Sequence, residues 1–328
     1  MVRFVRWHDE VVETSPTSGG QTPRRRRVTW RRVLLAGGLV VVLALTATFL
    51  SYRRQTISYL THLKGGPSTT WPYEIHDPPA EFHLAVIGDG GDGGARIDAT
   101  GAAAAQIAER EPYDALLLLG DNVYPSGDPT KLPDTVFEPF AAVLDGGAEL
   151  MAILGNHDVK KGRGDEQMEA LGMPGRYWAE EHGDVLVVGI DSNEIDDPAQ
   201  LRFLEEALAS TDATWRIVAV HHPPYSAGYQ GSSVDVRETL APLLQRYGVQ
   251  LVLSGHDHDY QRSVTIDGVT YVVSGGASGT RRTGEDDFTA VAYSWHNFVD
   301  IAVTGDRLVL RAVGQDGSVF DEAVLTAA

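Results

Sequence analysis

The chain contains no cysteine. That excludes disulfides, zinc–thiolate sites and cysteine nucleophiles. Any metal ion must then be held by His, Asp, Asn or Tyr, a donor set that favours hard or borderline ions. Basic side chains are scarce outside the N-terminus. Residues 1–54 carry ten Arg against Asp9, Glu10 and Glu13, a net of +7, whereas the remainder carries 17 basic and 42 acidic side chains. The net charge is −18 overall. An acidic body argues against a basic nucleic-acid groove, so no nucleic-acid partner is expected. It also repels polyanions except beside bound cations. Nothing in the sequence points to a protein partner.

Charge is missing altogether from Val33 to Tyr52. About 20 such apolar residues span a bilayer core as a helix, so 33–52 reads as a transmembrane helix. Arg24, Arg25, Arg26, Arg27, Arg31 and Arg32 precede it, and only Arg53, Arg54 and Lys64 follow closely. This bias places the N-terminus in the cytoplasm and the large domain outside. Two other readings stand beside an uncleaved anchor. One is a cleaved signal peptide, for which the run is long and lacks a small-residue cleavage site. The other is a twin-arginine export signal, which Trp30-Arg31-Arg32-Val33-Leu34-Leu35 resembles loosely.

What is present is an ordinary globular composition, 43% hydrophobic and 22% charged, with 35 Gly. Residues 1–32 read as a disordered cytoplasmic tail and 53–80 as a juxtamembrane linker, leaving 81–328 as one folded domain. Short runs rich in Val, Leu and Ile at 82–88, 115–120, 150–155, 185–190, 216–220 and 249–253 read as buried strands. Helical stretches at 99–111, 135–144, 198–210 and 234–247 separate them. Beyond residue 260 the pattern changes to strands at 268–274, 297–303, 307–313 and 319–325, with turn pairs such as Asp267-Gly268 and Asp316-Gly317. The expected fold is α/β: a sandwich of two sheets with helices outside.

Five of the apolar runs end in a side chain able to bind metal. They lead into Asp89, Asp121-Asn122, Asn156-His157-Asp158, His221-His222 and His256-Asp257-His258. In open α/β sheets the carboxyl edge is where ligands bind. Gly88, Gly120, Gly155 and Gly255 precede four of these, as a sharp turn or close backbone approach requires. Imidazole, carboxylate and amide oxygen together suit Fe, Mn or Zn. The donors are too many for one tetrahedral ion. Two ions about 3.5–4 Å apart, sharing a carboxylate, would use them all and would serve an in-line displacement at phosphorus.

In order, Gly88-Asp89-Gly90-Gly91, Gly120-Asp121-Asn122-Val123-Tyr124, Gly155-Asn156-His157-Asp158, Val218-Ala219-Val220-His221 and Gly255-His256-Asp257-His258 resemble the calcineurin-like metallophosphoesterase superfamily over nearly all of 82–326. Tyr124, three residues after Asp121, resembles the purple acid phosphatase branch, in which the phenolate binds ferric iron. The resemblance implies one ion held by Asp89, Asp121, Tyr124 and His258, and a second by Asp121, Asn156, His221 and His256. Asp121 would bridge, and His157 would touch the phosphate and assist the leaving group. Iron is implied at the Tyr124 position, and Fe, Zn or Mn at the other. The implied activity is hydrolysis of phosphate monoesters by a water activated at the ion pair. A phosphodiesterase acting on nucleotides or on lipid or cell-wall esters remains open, as does a metal-stabilised binding domain.

Other candidates carry less signal. Adjacent side chains at a strand end point opposite ways, so His222 is expected to pack or to contact substrate rather than share an ion with His221. His296 is read as structural, although the tail could bring it to the pocket. His8, His62, His76, His83 and His182 sit in no motif. Asp158 and Asp257 are expected to support the ligands, and Asp191 to be scaffold. Tyr225, Tyr229 and Gln230 follow His221 on a glycine-containing loop that could line a cleft.

Overall fold

The computed structural model describes residues 37–43, 45–46 and 65–327. Residues 37–43 and 45–46 are helical, with exposed Leu and Val side chains. The rest of the expected membrane helix at 33–52, the tail 1–32 and residues 53–64 lie outside the described residues. Among the described residues no helix is long and apolar enough to cross a membrane.

From residue 65 onward the strands are β1 (Trp71–Pro72), β2 (Phe82–Ile87), β3 (Ala115–Leu118), β4 (Glu149–Ala152), β5 (Trp178–His182), β6 (Val185–Ile190), β7 (Trp215–Val220), β8 (Leu251–Ser254), β9 (Tyr260–Ser263), β10 (Thr270–Ser274), β11 (Thr289–Tyr293), β12 (Asn297–Thr304), β13 (Arg307–Gly314) and β14 (Ser318–Thr326). The α-helices are α1 (Ala95–Ala108), α2 (Ala141–Asp145), α3 (Gly164–Leu171), α4 (Pro198–Ser210) and α5 (Val234–Arg246). The strands form two seven-stranded sheets, ordered β1-β14-β13-β12-β2-β3-β4 and β11-β9-β10-β8-β7-β6-β5. Strands β2, β3 and β4 run parallel, as do β6, β7, β8 and β10.

The layers follow from which faces are apolar. One core lies between the sheets, where Leu84, Val86 and Leu117 meet Ile217, Leu251 and Leu253. The opposite face of the first sheet is covered by Ile97, Ala104 and Ile107 of α1 and Val143 of α2. The opposite face of the second is covered by Leu204 and Leu208 of α4 and Leu240 and Leu244 of α5. Since β2, β3, β6, β7 and β8 are covered on both faces, they read as continuous apolar runs rather than alternating ones. Polar ties cross between the sheets as well. Trp178 Nε1 donates to the Ala152 carbonyl at 2.7 Å, and Tyr260 Oη donates to Asp321 at 2.6 Å.

The expected helix at 135–144 is instead broken into a π-turn at Pro133–Phe137 and the short α2. Pro139 lies between them and lacks the amide hydrogen a continuous helix would use, and the chain leaves helical geometry just after it, at Phe140 (φ −107°, ψ 15°). Strands β1, β5, β9 and β11 and helix α3 have no counterpart among the expected elements.

The chain enters the first sheet through β1, which pairs with β14. Just beyond it, Tyr73 and His76 are buried against Asp300 of β12. The fully buried Asp300 carboxylate accepts from Tyr113 (2.9 Å) and Tyr73 (3.3 Å) and pairs with His83 Nε2 (2.8 Å) and His76 Nε2 (3.0 Å). Burial alone would raise the Asp300 pKa, but its histidine partners outweigh this and hold it well below the carboxylate range. Burial also opposes charge on His83, yet its hydrogen bond to Asp300 leaves the imidazole raised. The two signs differ. The Asp300 contribution is present above an unfolded value of about 3.9 and lost as pH falls through its lowered folded value. The His83 contribution is present below about 6.5 and lost as pH rises through its raised one. Both are therefore complete together between about pH 4 and 6.5. Asp300→Asn is expected to lower unfolding stability there by about 3–5 kcal/mol, the cost of breaking a buried pair. Urea unfolding across pH checks this; an unchanged midpoint in that window would contradict it.

Candidate metal centre

The loops following β2, β3, β4, β7 and β8 meet at one rim of the two sheets. They carry, in turn, Asp89, Asp121, Asn156 with His157, His221, and His256 with His258. Backbone hydrogen bonds lock these loops to one another: Asp89 N to Gly120 O (3.2 Å), Gly91 N to Asp121 O (3.1 Å), Tyr124 N to Gly91 O (2.9 Å) and Gly255 N to His221 O (3.1 Å).

Of Gly88, Gly120, Gly155 and Gly255, only Gly120 has a positive φ, 87°. The left-handed turns fall on donor residues themselves: Asp89 (φ 57°), Asp121 (φ 52°) and His256 (φ 71°). Each such conformation costs about 1–3 kcal/mol and clusters where surrounding structure enforces it. The other three glycines are needed for close approach. A Cβ at Gly88 would strike the Ser274 carbonyl, at Gly155 the Asp121 amide, and at Gly255 the Asp89 carboxylate.

The donors converge in two groups that share a wall. In the first, Tyr124 Oη donates to Asp89 Oδ1 (2.9 Å) and lies 3.0 Å from His258 Nε2, which is 3.4 Å from the same carboxylate oxygen. In the second, His221 Nε2 lies 3.3 Å from Asn156 Oδ1 and 3.5 Å from Asp121 Oδ1. Asp89, Asp121 and His221 present ligand atoms within 4.8 Å of one another, as do His221, His222 and His256. His221 Nδ1–H donates to the Leu119 carbonyl at 2.8 Å, which fixes the tautomer and leaves Nε2 as a lone-pair donor. The His256 amide donates to Asp89 Oδ2 (2.8 Å), and the His157 amide to Asp121 Oδ1 (2.8 Å).

Electrostatically the cluster demands a cation. Asp89 and Asp121 are 0% and 2% exposed. Among the described residues their ion-pair partners are His258 and His221, with no Lys or Arg. Two carboxylates buried this closely are strongly disfavoured without positive charge between them. Burial opposes a proton on His221, but the charges of Asp121 and Asp89 raise its pKa nonetheless. Burial and the neighbouring imidazoles push His256 down to about 3 and His222 to about 4, so these rings are neutral, as metal ligands must be. Burial, then the charges of Asp89 and Asp121, hold the Tyr124 phenol far above its ordinary range. A cation would have to displace that proton. The donor set fits a pair of hard or borderline ions.

Supporting residues are also in place. Asp158 is fully buried and accepts from the amides of Asn122 (3.0 Å), Val123 (3.2 Å) and Gly155 (2.8 Å), tying two ligand loops together. Burial and the charge of Asp121 raise it to about 7. Asp257 accepts from the amides of Gln230 (2.6 Å) and Gly231 (3.1 Å), anchoring the loop after His221. Asp191 pairs with Arg176 and is scaffold. His222 turns to Ser192, its Nδ1 2.7 Å from Oγ, and its ring centroid is 4.5 Å from that of His256.

In front of the donors lies a cavity of about 480 Å³. Asp121, Tyr124, Asn156, His157, His256 and His258 form its floor, while Gln230 and His296 stand among its other lining residues. Lys160, whose Nζ lies 2.9 Å from His157 Nε2, and the cavity residues Arg96 and Arg281 belong to no motif in the sequence. Only its position three residues beyond His157 marks Lys160 out.

Residues 82–260 match the calcineurin-like phosphoesterase family. The chain belongs to that family. Within it, this phosphoesterase domain is 40% identical over 81 residues to purple acid phosphatase 17 of Arabidopsis thaliana, 24% of each chain. It is 40% identical over 76 residues to tartrate-resistant acid phosphatase type 5 of Homo sapiens, 23% of each. The matched stretches thus span about a quarter of the length of these curated relatives. The fold resembles that of the purple acid phosphatase PPD1 from yellow lupin (Lupinus luteus) seeds, with a TM-score of 0.67 and 19% identity. That likeness covers 75% of this chain and 53% of the other.

Proposed function

We propose that the domain hydrolyses phosphate monoesters as a purple-acid-phosphatase-like enzyme with two metal ions. Asp89, Asp121, Tyr124 and His258 would hold one ion, taken to be iron. Asp121, Asn156, His221 and His256 would hold the other, Fe, Zn or Mn. The observation that carries this reading is the pair of buried carboxylates, Asp89 and Asp121, facing imidazole nitrogens with no Lys or Arg paired to them among the described residues. When bound, the ions would supply Lewis acidity toward the phosphoryl oxygens and lower the pKa of an attacking water.

The chain's own contributions follow from its contacts. Asp121 joins the two donor groups and is oriented by the His157 amide. His157 Nδ1–H donates to the Pro125 carbonyl at 2.8 Å, and the Lys160 ammonium donates to Nε2 at 2.9 Å. The His157–Lys160 pair would therefore supply the proton for the leaving oxygen, passed through Nε2.

Iron-loaded protein is expected to show a visible charge-transfer band and to release phosphate from an aryl monoester faster than from the matched diester. Tyr124→Phe should lose the band. A colourless enzyme with full activity would remove the iron–phenolate assignment, and diester preference would replace monoesterase by diesterase. The Arg-rich flank before 33–52 supports a membrane anchor with this domain outside the cytoplasm. Protease added to intact cells should then clip the domain; full protection would contradict that placement.

A further inference from the structure

The cavity in front of the donors is not lined only by groups that address one phosphate. Arg96, at the start of α1, and Arg281, on the loop after β10, both line it, and neither belongs to a ligand motif. The two come from opposite sheets' connections, yet they open onto the same space as Asp121, Asn156 and His157.

Both arginines are held by their backbones. Gln315 Nε2 donates to the Arg96 carbonyl at 2.6 Å, and the Arg281 amide donates to the His258 carbonyl at 2.7 Å. The Arg281 guanidinium lies over the Tyr229 ring, 5.1 Å being typical of such stacks here and 5.3 Å the separation in this one. His296, from the segment before β12, donates through Nδ1 to the Gly276 carbonyl at 3.0 Å and turns its other ring edge to the cavity. Asp92 is the one carboxylate lining the cavity besides Asp121.

Arginine forks bind carboxylate and phosphate oxygens bidentately. The chain beyond residue 54 has 17 basic against 42 acidic side chains, so two arginines lining one cavity stand out against a field that otherwise repels anions. We propose that Arg96 and Arg281 form a second anion subsite. The site would then favour phosphate esters whose alcohol part carries a further anionic group, phosphate or carboxylate, over esters with a neutral alcohol. This rests on the hydrolase reading and adds to it a substrate class.

The test compares three esters with the same scissile bond: phenyl phosphate, 4-carboxyphenyl phosphate and 4-(phosphonomethyl)phenyl phosphate. The full metal-loaded chain is used throughout. The ratio of kcat/KM for either anionic ester over phenyl phosphate is expected to be at least about tenfold, carried by KM, and to shrink as salt is added. The larger of the two gains identifies the second anion as carboxylate or phosphate. In the Arg96→Ala, Arg281→Ala double variant the ratio should fall toward one, and Arg281→Lys should keep part of it. Because each ratio is taken within one protein sample, loss of folded enzyme does not move it. A wild-type ratio near one for both anionic esters, or a ratio unchanged in the double variant, would overturn the subsite while leaving phenyl phosphate hydrolysis intact. Failure to hydrolyse all three would instead overturn the hydrolase reading.

Discussion

Asp121→Ala is expected to cut turnover of an aryl phosphate by at least about 10³-fold, some 4 kcal/mol on the barrier. In the proposed assignment Asp121 is the side chain shared by both ions. Asp121 Oδ1 lies 3.5 Å from His221 Nε2 and takes the His157 amide at 2.8 Å, and Asp121 itself sits at a φ of 52° that only a fixed surrounding would hold. Its loss would remove the proposed bridging charge and the acceptor that holds the His157 amide. Metal content should therefore fall together with activity. Asp121→Asn keeps the shape and removes the charge, so it should fail almost as badly. If Asp121→Asn retained near-normal turnover and two ions per chain, the bridging role would be wrong.

His157→Ala is expected to behave differently. Its ring lines the cavity and its backbone, not its side chain, contacts Asp121. Removing the imidazole should lower kcat by about 10²–10⁴, the usual contribution of a proton donor, with both ions still bound. The loss should be largest for esters with poor leaving groups, which need the proton most, and small for nitrophenolate. Equal losses across a leaving-group series would mean that His157 binds phosphate and does not assist departure. Together the two variants separate building the centre from using it.

Much of this was legible in the sequence because the informative signals are local. Each of five apolar runs stops within a few residues of a polar donor, so strand and ligand are read from one window, as at β2 with Asp89 and β8 with His256. The alternation of buried strands and helices, followed by an all-strand tail, likewise carried the two-sheet reading. What was missed lacks a local signature. Strand β5, Trp-Ala-Glu-Glu-His, lies at a sheet edge and is polar for most of its length, so its hydrophobic period is weak. Residues 135–144 read as one helix because the apolar spacing is right, but Pro139 offers no amide hydrogen and the chain leaves helical geometry at Phe140. The Asp300 cluster joins Tyr73, His76, His83 and Tyr113 across more than 180 residues, and no spacing rule links them. His76 and His83 looked idle for that reason. Arg96, Lys160 and Arg281 are charged residues on loops or helix starts, indistinguishable in sequence from solvated ones. Gly120 turns as the sequence suggested, and further left-handed turns fall on Asp89, Asp121 and His256, where no glycine marks them.

The central claim is that this rim of the two sheets holds two cations side by side. The most direct measurement is anomalous scattering from crystals of the metal-loaded protein, paired with metal analysis of the same sample. Two peaks per chain about 3.5–4 Å apart, with Asp121 between them, are predicted. A rim without peaks in protein that has been offered iron, zinc and manganese, or a single ion bound elsewhere, would contradict the account.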